Sequence, residues 1–234
     1  LKELHGIAKT AAGLHIGALV KVEEIASNSL IRSSFPALSE AALGVTSPQI
    51  RNMGTFAGDL CQRPRCWYYR AGFGLIARHD GKDLVAEGDN RYHAIFGNGP
   101  ARFVSASSFA PALMALEATI KVASPKGERE IAASKFFIAP ASSEQREISI
   151  APNEIVTGIL IPLTAARNAT YEVRQKEALD WPLATCSVAL KMTGANVNAA
   201  RIVLGHVAPA PWVAEAAAAS LKGKGLTVAT AEHA

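Results

Sequence analysis

The stretch Ile50-Arg51-Asn52-Met53-Gly54-Thr55-Phe56-Ala57-Gly58-Asp59-Leu60 combines the residue types needed to hold an anionic, hydroxylated ligand. Gly54, Ala57 and Gly58 remove side-chain bulk, so a small-residue loop here would let main-chain N–H groups approach a phosphate. Thr55 and Asp59 add hydrogen-bonding groups for phosphate or sugar oxygens. The pattern is neither a Walker A loop nor a GxGxxG fingerprint. A tight turn has the same composition, so the stretch alone leaves both readings open. Directly after it, Arg63-Pro64-Arg65 with Arg70 forms the densest basic cluster, suited to a pyrophosphate, an acidic partner surface or a solvated turn.

Other reactive side chains are sparse. Cys61, Cys66 and Cys186 are too few and too unevenly spaced for a disulfide framework or a closed four-thiolate site. His79 and His93 lack ligand spacing and read as surface or capping histidines, and no serine has a convincing base partner. The sequence therefore supplies no candidate catalytic acid, base or nucleophile and no metal ligand set.

The 234 residues are 49% hydrophobic, enough for a substantial core in one large or two smaller domains. The formal charge is +4, but the cations are dispersed and not interleaved with aromatics, which argues against nucleic-acid binding. No apolar run reaches the ~18 residues of a membrane span, and Leu1-Lys2-Glu3-Leu4-His5 is not a signal peptide. A reducing compartment is compatible with the cysteines. The cytoplasm is expected, or the periplasm if a partner carries the chain across.

The elements that must position the ligand stretch follow from spacing. Residues 20–26 and 35–43 have helical periodicity, the second with Pro36 in its first turn, and 110–118 reads as a buried helix. A strand is predicted over 119–122 with a turn at Ser124-Pro125-Lys126-Gly127. Beyond Pro162 the segments 170–174, 187–192 and 200–204 alternate as three antiparallel strands. A helix is predicted over 212–221, stopped by Gly223. A domain boundary falls near 140–166.

Four segments in order resemble one family. Leu14-His15-Ile16-Gly17-Ala18, the Arg51–Asp59 stretch, Pro152-Asn153-Glu154-Ile155 and Leu204-Gly205-His206-Val207-Ala208-Pro209 are similar to motifs of the FAD-binding subunits of molybdenum hydroxylases, the xanthine dehydrogenase and carbon monoxide dehydrogenase family. The resemblance implies an α+β fold: a FAD-binding domain over 1–145, then a smaller domain over 166–234 with a three-stranded antiparallel sheet and helices. It implies FAD as cofactor, and an oxidoreductase subunit that passes electrons from iron-sulfur centres to an acceptor such as NAD or oxygen. The implied partners are an iron-sulfur small subunit and a molybdopterin large subunit, the latter oxidising the substrate. A cofactor-free assembly subunit and a free-standing FAD reductase of related fold stand as alternatives.

By the same resemblance the cofactor-binding residues are Val45, Thr46, Gly54, Thr55, Gly58, Asp59, Val156 and Arg174. Val45 and Val156 would pack on the flavin. Arg174 would stand at its pyrimidine end, where a cation favours the anionic reduced form. Asp59 takes the place of the family's usual asparagine, to face ribityl hydroxyls or to pair with a cation such as Arg63, and Ser108 that of an aspartate. The family's other FAD loop is expected before Leu1. Residues 63–100, from Cys66-Trp67-Tyr68-Tyr69-Arg70 through Phe96-Gly97-Asn98, resemble an insert that carries a four-iron cluster in some relatives. Only Cys66 lies within it, so no cluster is expected, and Trp67, Tyr68, Tyr69 and Phe96 are expected to form a local core.

Overall fold

A computed structural model describes residues 1–97, 99–164, 166–176 and 180–234; Asn98, at the end of the predicted insert motif, lies outside them. After a 3-10 turn at Lys2–Leu4 come β1 (Ile7–Thr10) and β2 (Gly13–Gly17), then five short helices: α1 (Val22–Ser27), α2 (Ser29–Ser34), α3 (Pro36–Gly44), α4 (Pro48–Met53) and α5 (Phe56–Leu60). The insert contributes β3 (Arg78–His79) and β4 (Lys82–Asp83). The chain continues through α6 (Ala110–Ala115), β5 (Thr119–Ser124), β6 (Gly127–Ala132), α7 (Ala133–Phe136) and β7 (Ile155–Ile161). It ends with β8 (Arg167–Val173), β9 (Ala184–Thr193), β10 (Asn196–Gly205), β11 (Trp212–Val213), α8 (Glu215–Leu221) and α9 (Val228–Glu232).

Five strands form an antiparallel sheet in the order β1-β2-β7-β5-β6. Because β7 pairs with both β2 and β5, the first sheet extends to Ile161, past residue 145, where the sequence placed the end of the first domain. Gly13 opens β2 at φ 150°, and a Cβ there would strike the backbone of Ile161 on β7, so only glycine admits the strand pairing. Leu14 and Ile16 of β2 and Ile120 of β5 are fully buried, joined by Ile25, Leu38, Phe56, Phe109 and Leu113 from the helices. The Phe56 and Phe109 rings meet edge to face at 4.8 Å and fasten α5 to α6.

The second sheet has the order β11-β10-β9-β8. It contains the three predicted strands, each longer than its alternating segment, and a fourth that the sequence assigned to a helix. Trp212 and Val213 pair with Leu204 and Val203 of β10, and the backbone turns helical only at Glu215. Leu221 of α8 packs with Leu190, Val197 and Ile202 on one face of this sheet. Ala189 and Val203, on β9 and β10, join the main core.

The predicted small-residue loop is two short helices. Ser47 accepts a hydrogen bond from the Ile50 N–H and Pro48 takes the first turn, starting α4. Gly54 is extended, and Thr55 caps α5 through a hydrogen bond from the Gly58 N–H to its Oγ1 at 3.1 Å. Gly and Ala read as loop in the sequence, but the two caps decide the outcome.

Candidate functional site

The Gly54–Asp59 segment is held from below by backbone hydrogen bonds. Gly54 O accepts from Val22 N–H at 3.0 Å, Phe56 N–H donates to Val20 O at 2.8 Å, and Ala57 N–H donates to Ala18 O at 3.0 Å. With Gly58 N–H on Thr55 Oγ1 and Asp59 N–H on Thr55 O, the amides of residues 56–59 all have partners within the chain. The expectation that these amides meet a phosphate therefore needs correcting: the capping and bridging bonds that shape α5 use them. What the segment presents outward is the exposed Gly58 and the half-buried Thr55 side chain. A Cβ added at Gly58 would meet only the Thr55 side chain, 2.8 Å from Oγ1, so this surface is otherwise open to close approach.

Asp59 faces the interior at 6% exposure. Its Oδ1 accepts from the Ser107 hydroxyl at 2.5 Å and from Phe109 N–H at 3.4 Å, while Gln62 Nε2 donates to Oδ2 at 2.9 Å. Ser107 Oγ in turn accepts from Ala110 N–H at 3.1 Å, at the start of α6. The carboxylate is thus a strut between α5 and the entry to α6, and Ser108 is buried beside it. Burial pushes the Asp59 pKa up to about 6, with hydrogen bonds from Ser107, Phe109 and Ser108 opposing and the Glu172 charge adding to the rise. Arg63 is not its partner, because its guanidinium pairs with Glu147 at 3.1 Å.

Val45 and Thr46 leave α3 half-buried, and their carbonyls accept from Arg51 Nη1 of α4 at 3.0 and 3.3 Å. Arg51 is itself paired with Glu23 at 2.6 Å, so this corner is fixed to α1. Arg174 lies at the same end of α3, where its Nη2 donates to Gly44 O and pairs with Glu172 Oε2. Both side chains are mostly buried, at 15% and 7% exposure. Burial raises the Glu172 pKa against the lowering by Arg174. The two residues line an open cleft of about 480 Å³ with Glu40, Leu43, Gly44 and Thr170. The sequence reading missed Glu172, although a spacing of two in an extended segment places it on the face of Arg174. A cation so paired presents a dipole to the cleft rather than a free charge.

Val156 lies in β7, buried in the main core. It reaches the ligand segment through its neighbour: Thr157 O accepts from Ala18 N–H at 3.1 Å, and Ala18 O holds Ala57. Four expected residues, Gly54, Thr55, Gly58 and Asp59, therefore share one continuous segment. Val45, Thr46 and Arg174 gather at the end of α3, and Val156 stands on the sheet behind.

The insert is organised differently from the expectation. Its small core is Leu75, Ala101 and Phe103, with Cys66, Tyr69 and Ile76 against it. Trp67 is 36% and Phe96 38% exposed, and Phe96 stacks on Trp212 of β11 at 5.2 Å. His79 is a surface residue 3.4 Å from Asp80, as expected. His93 is buried instead, with Nε2 3.1 Å from Cys66 Sγ and its ring against Trp67 and Tyr68. Its position within a polar, glycine-rich stretch gave no sign of that burial.

A flavin nucleotide asks for a side-chain-free contact surface, hydroxyl donors and groups for a diphosphate. The open face at Gly58 and the Thr55 hydroxyl fit the first two. The amides of α5 do not fit the third, since all are spent within the chain.

Comparison with known proteins shows the family of the chain. Residues 1–164 match the FAD binding domain in molybdopterin dehydrogenase, and residues 169–234 match the CO dehydrogenase flavoprotein C-terminal domain. The chain is 32% identical over 216 residues to the aldehyde oxidoreductase FAD-binding subunit PaoB of Escherichia coli K12, covering 90% of this chain and 67% of that protein. It is 27% identical to the carbon monoxide dehydrogenase medium chain of Hydrogenophaga pseudoflava, covering 97% and 64%. A solved carbon monoxide dehydrogenase from the latter organism, lacking the Mo-pyranopterin moiety, superposes with a TM-score of 0.67 at 27% identity, over 98% of this chain and 65% of that one. The chain thus spans about two thirds of the length of these relatives. Among the described residues no helix is long and apolar enough to cross a membrane.

Proposed function

Because the chain belongs to the family of FAD-binding subunits of molybdopterin dehydrogenases, we propose that it is the electron-transfer flavoprotein subunit of a molybdenum hydroxylase complex. The reading is carried by the two family regions, which follow one another through nearly the whole chain. FAD, when bound, would supply redox chemistry between iron-sulfur centres and an acceptor such as NAD or oxygen. A small iron-sulfur subunit and a large molybdopterin subunit are the proposed partners, and substrate oxidation belongs to the large one.

This chain's residues bind and orient. Gly58 leaves room for the cofactor chain, Gly54 lets the segment pass close to the Ile50 carbonyl, and the Thr55 hydroxyl donates a hydrogen bond to the cofactor. Val45 and Thr46 form an apolar shoulder, with Val156 behind them as support. Arg174 presents its guanidinium already paired with Glu172, so its influence on the ring is that of an oriented dipole. Asp59 acts one step removed, holding α5 against α6.

A second reading, a cofactor-free assembly subunit, draws on one observation: the amides of α5 are committed inside the chain. Co-purification with the partner subunits and measurement of extracted FAD separates the two. One FAD per chain supports the flavoprotein, whereas an intact, active complex without flavin on this subunit supports the assembly role.

A further inference from the structure

Helix α4 stands between two groups of residues proposed to hold the cofactor, with Val45 and Thr46 before it and Gly54–Asp59 after it. A surface helix is normally held by an apolar stripe sunk in the core. No such stripe fixes α4: none of its residues is buried, and Ile50 and Met53 are 58% and 74% exposed. Every residue of α4 is exposed except Arg51, which is half-buried.

Polar contacts to α1 take the place of the missing stripe. α1 is itself a fixed base, because Val22 and Ile25 belong to the main core. At the C-terminal end of α4, the Lys21 ammonium donates to Met53 O at 2.8 Å and Val22 N–H donates to Gly54 O at 3.0 Å. At the other end, Arg51 joins α1 to the turn that leaves α3. Its Nε donates to Glu23 Oε2, and its Nη1 reaches the Val45 and Thr46 carbonyls. A guanidinium is planar and fixes the direction of each donor, so this grip sets the orientation of the turn as well as its distance from α1. An ammonium at the same place is a point charge without that geometry.

We propose that Arg51 is a positioning residue for flavin binding: by holding the Val45 and Thr46 carbonyls, it sets where the apolar shoulder stands relative to the open face at Gly58 and Thr55. It acts through the backbone of Val45 and Thr46 and needs no contact with the cofactor. The inference rests on the flavoprotein reading.

Fluorescence titration of FAD into the flavin-depleted complex, with visible circular dichroism of the flavin at saturation, tests it. Arg51→Met removes the donors to both carbonyls and should weaken FAD binding roughly tenfold or more and change the flavin dichroism. Arg51→Lys should fall between that variant and the parent. Glu23→Gln keeps an acceptor for Arg51 Nε and leaves the guanidinium in place, so its affinity should stay close to the parent's. Hydrogen exchange without added FAD should show residues 45–54 exchanging faster in Arg51→Met, with β9 and β10 unchanged. A parent complex that binds no FAD overturns the flavoprotein reading and this inference together. Where the parent binds FAD, unchanged affinity or unchanged dichroism in Arg51→Met overturns the positioning role alone. A Glu23→Gln complex as weak as Arg51→Met overturns the carbonyl route, since the ion pair would then suffice to explain the loss. If Arg51→Met does not fold, Arg51→Lys decides: parental affinity and dichroism overturn the proposal, and weaker binding at an unchanged Tm supports it.

Discussion

Replacing Asp59 with Asn tests the description of that residue as a buried strut. The folded-state pKa of about 6 stands above the ordinary 3.8, so the folded protein binds the extra proton between those values. A raised carboxylate pKa contributes stability that is full below pH 3.8 and is lost as pH climbs through 6. The difference of about 2 pKa units corresponds to roughly 3 kcal/mol of stability lost by neutral pH. Asparagine keeps an acceptor for the Ser107 hydroxyl and carries no charge to desolvate. Allowing about 1 kcal/mol for poorer hydrogen bonds, the variant should gain about 1–2 kcal/mol at pH 7.5. For a chain of this length that is a rise of about 2–8 °C in Tm. Near pH 4, where the parent carboxyl is largely protonated, the advantage should vanish. Thermal denaturation of both proteins from pH 4 to 8 reads the difference directly. Parallel curves, or a variant weaker by the same amount at every pH, would refute a desolvated carboxylate at this position.

Gly58→Val should abolish FAD retention in the assembled complex, because the side chain would cover the open face beside Thr55; unchanged flavin content would remove this segment from the cofactor site. Thr55→Ala deletes the cap of α5 and should cost about 1 kcal/mol in urea denaturation, with weaker flavin retention. Arg174→Met leaves Glu172 buried without its cation and should destabilise by about 3 kcal/mol, most of it restored by adding Glu172→Gln; a double variant no better than the single would deny the coupling. Iron and acid-labile sulfide assayed on this subunit should be absent, since apolar side chains pack about Cys66; stoichiometric iron would show that ligands come from elsewhere.

Much of the fold was legible because it rests on local signals. Pro36 sits where a helix tolerates a missing N–H, and the alternation in β9 and β10 announces a sheet with two different faces. The Gly54–Asp59 segment was found by composition but misjudged in form, since a cap at Thr55 turns small residues into helix as readily as into loop. The roles of Asp59 and Arg174 were hidden for another reason. Their partners, Ser107 and Gly44, are distant in sequence, and only the three-dimensional packing brings a hydroxyl to one and a carbonyl to the other. His93 was opaque because burial of a histidine leaves no periodic trace.

Gly205 closes β10 where a Cβ would lie 2.5 Å from Pro111 Cγ at the start of α6. The second sheet is therefore seated on a helix of the first unit at van der Waals distance, with Ala189 and Val203 sealed into its core. Two family regions joined in sequence are, in energetic terms, one cooperative body. Cleavage in the connection near residue 164 should leave the halves bound to each other, and thermal unfolding should pass through a single transition. An electron carrier built this way gains a rigid frame, because neither half can swing without opening the core the two share.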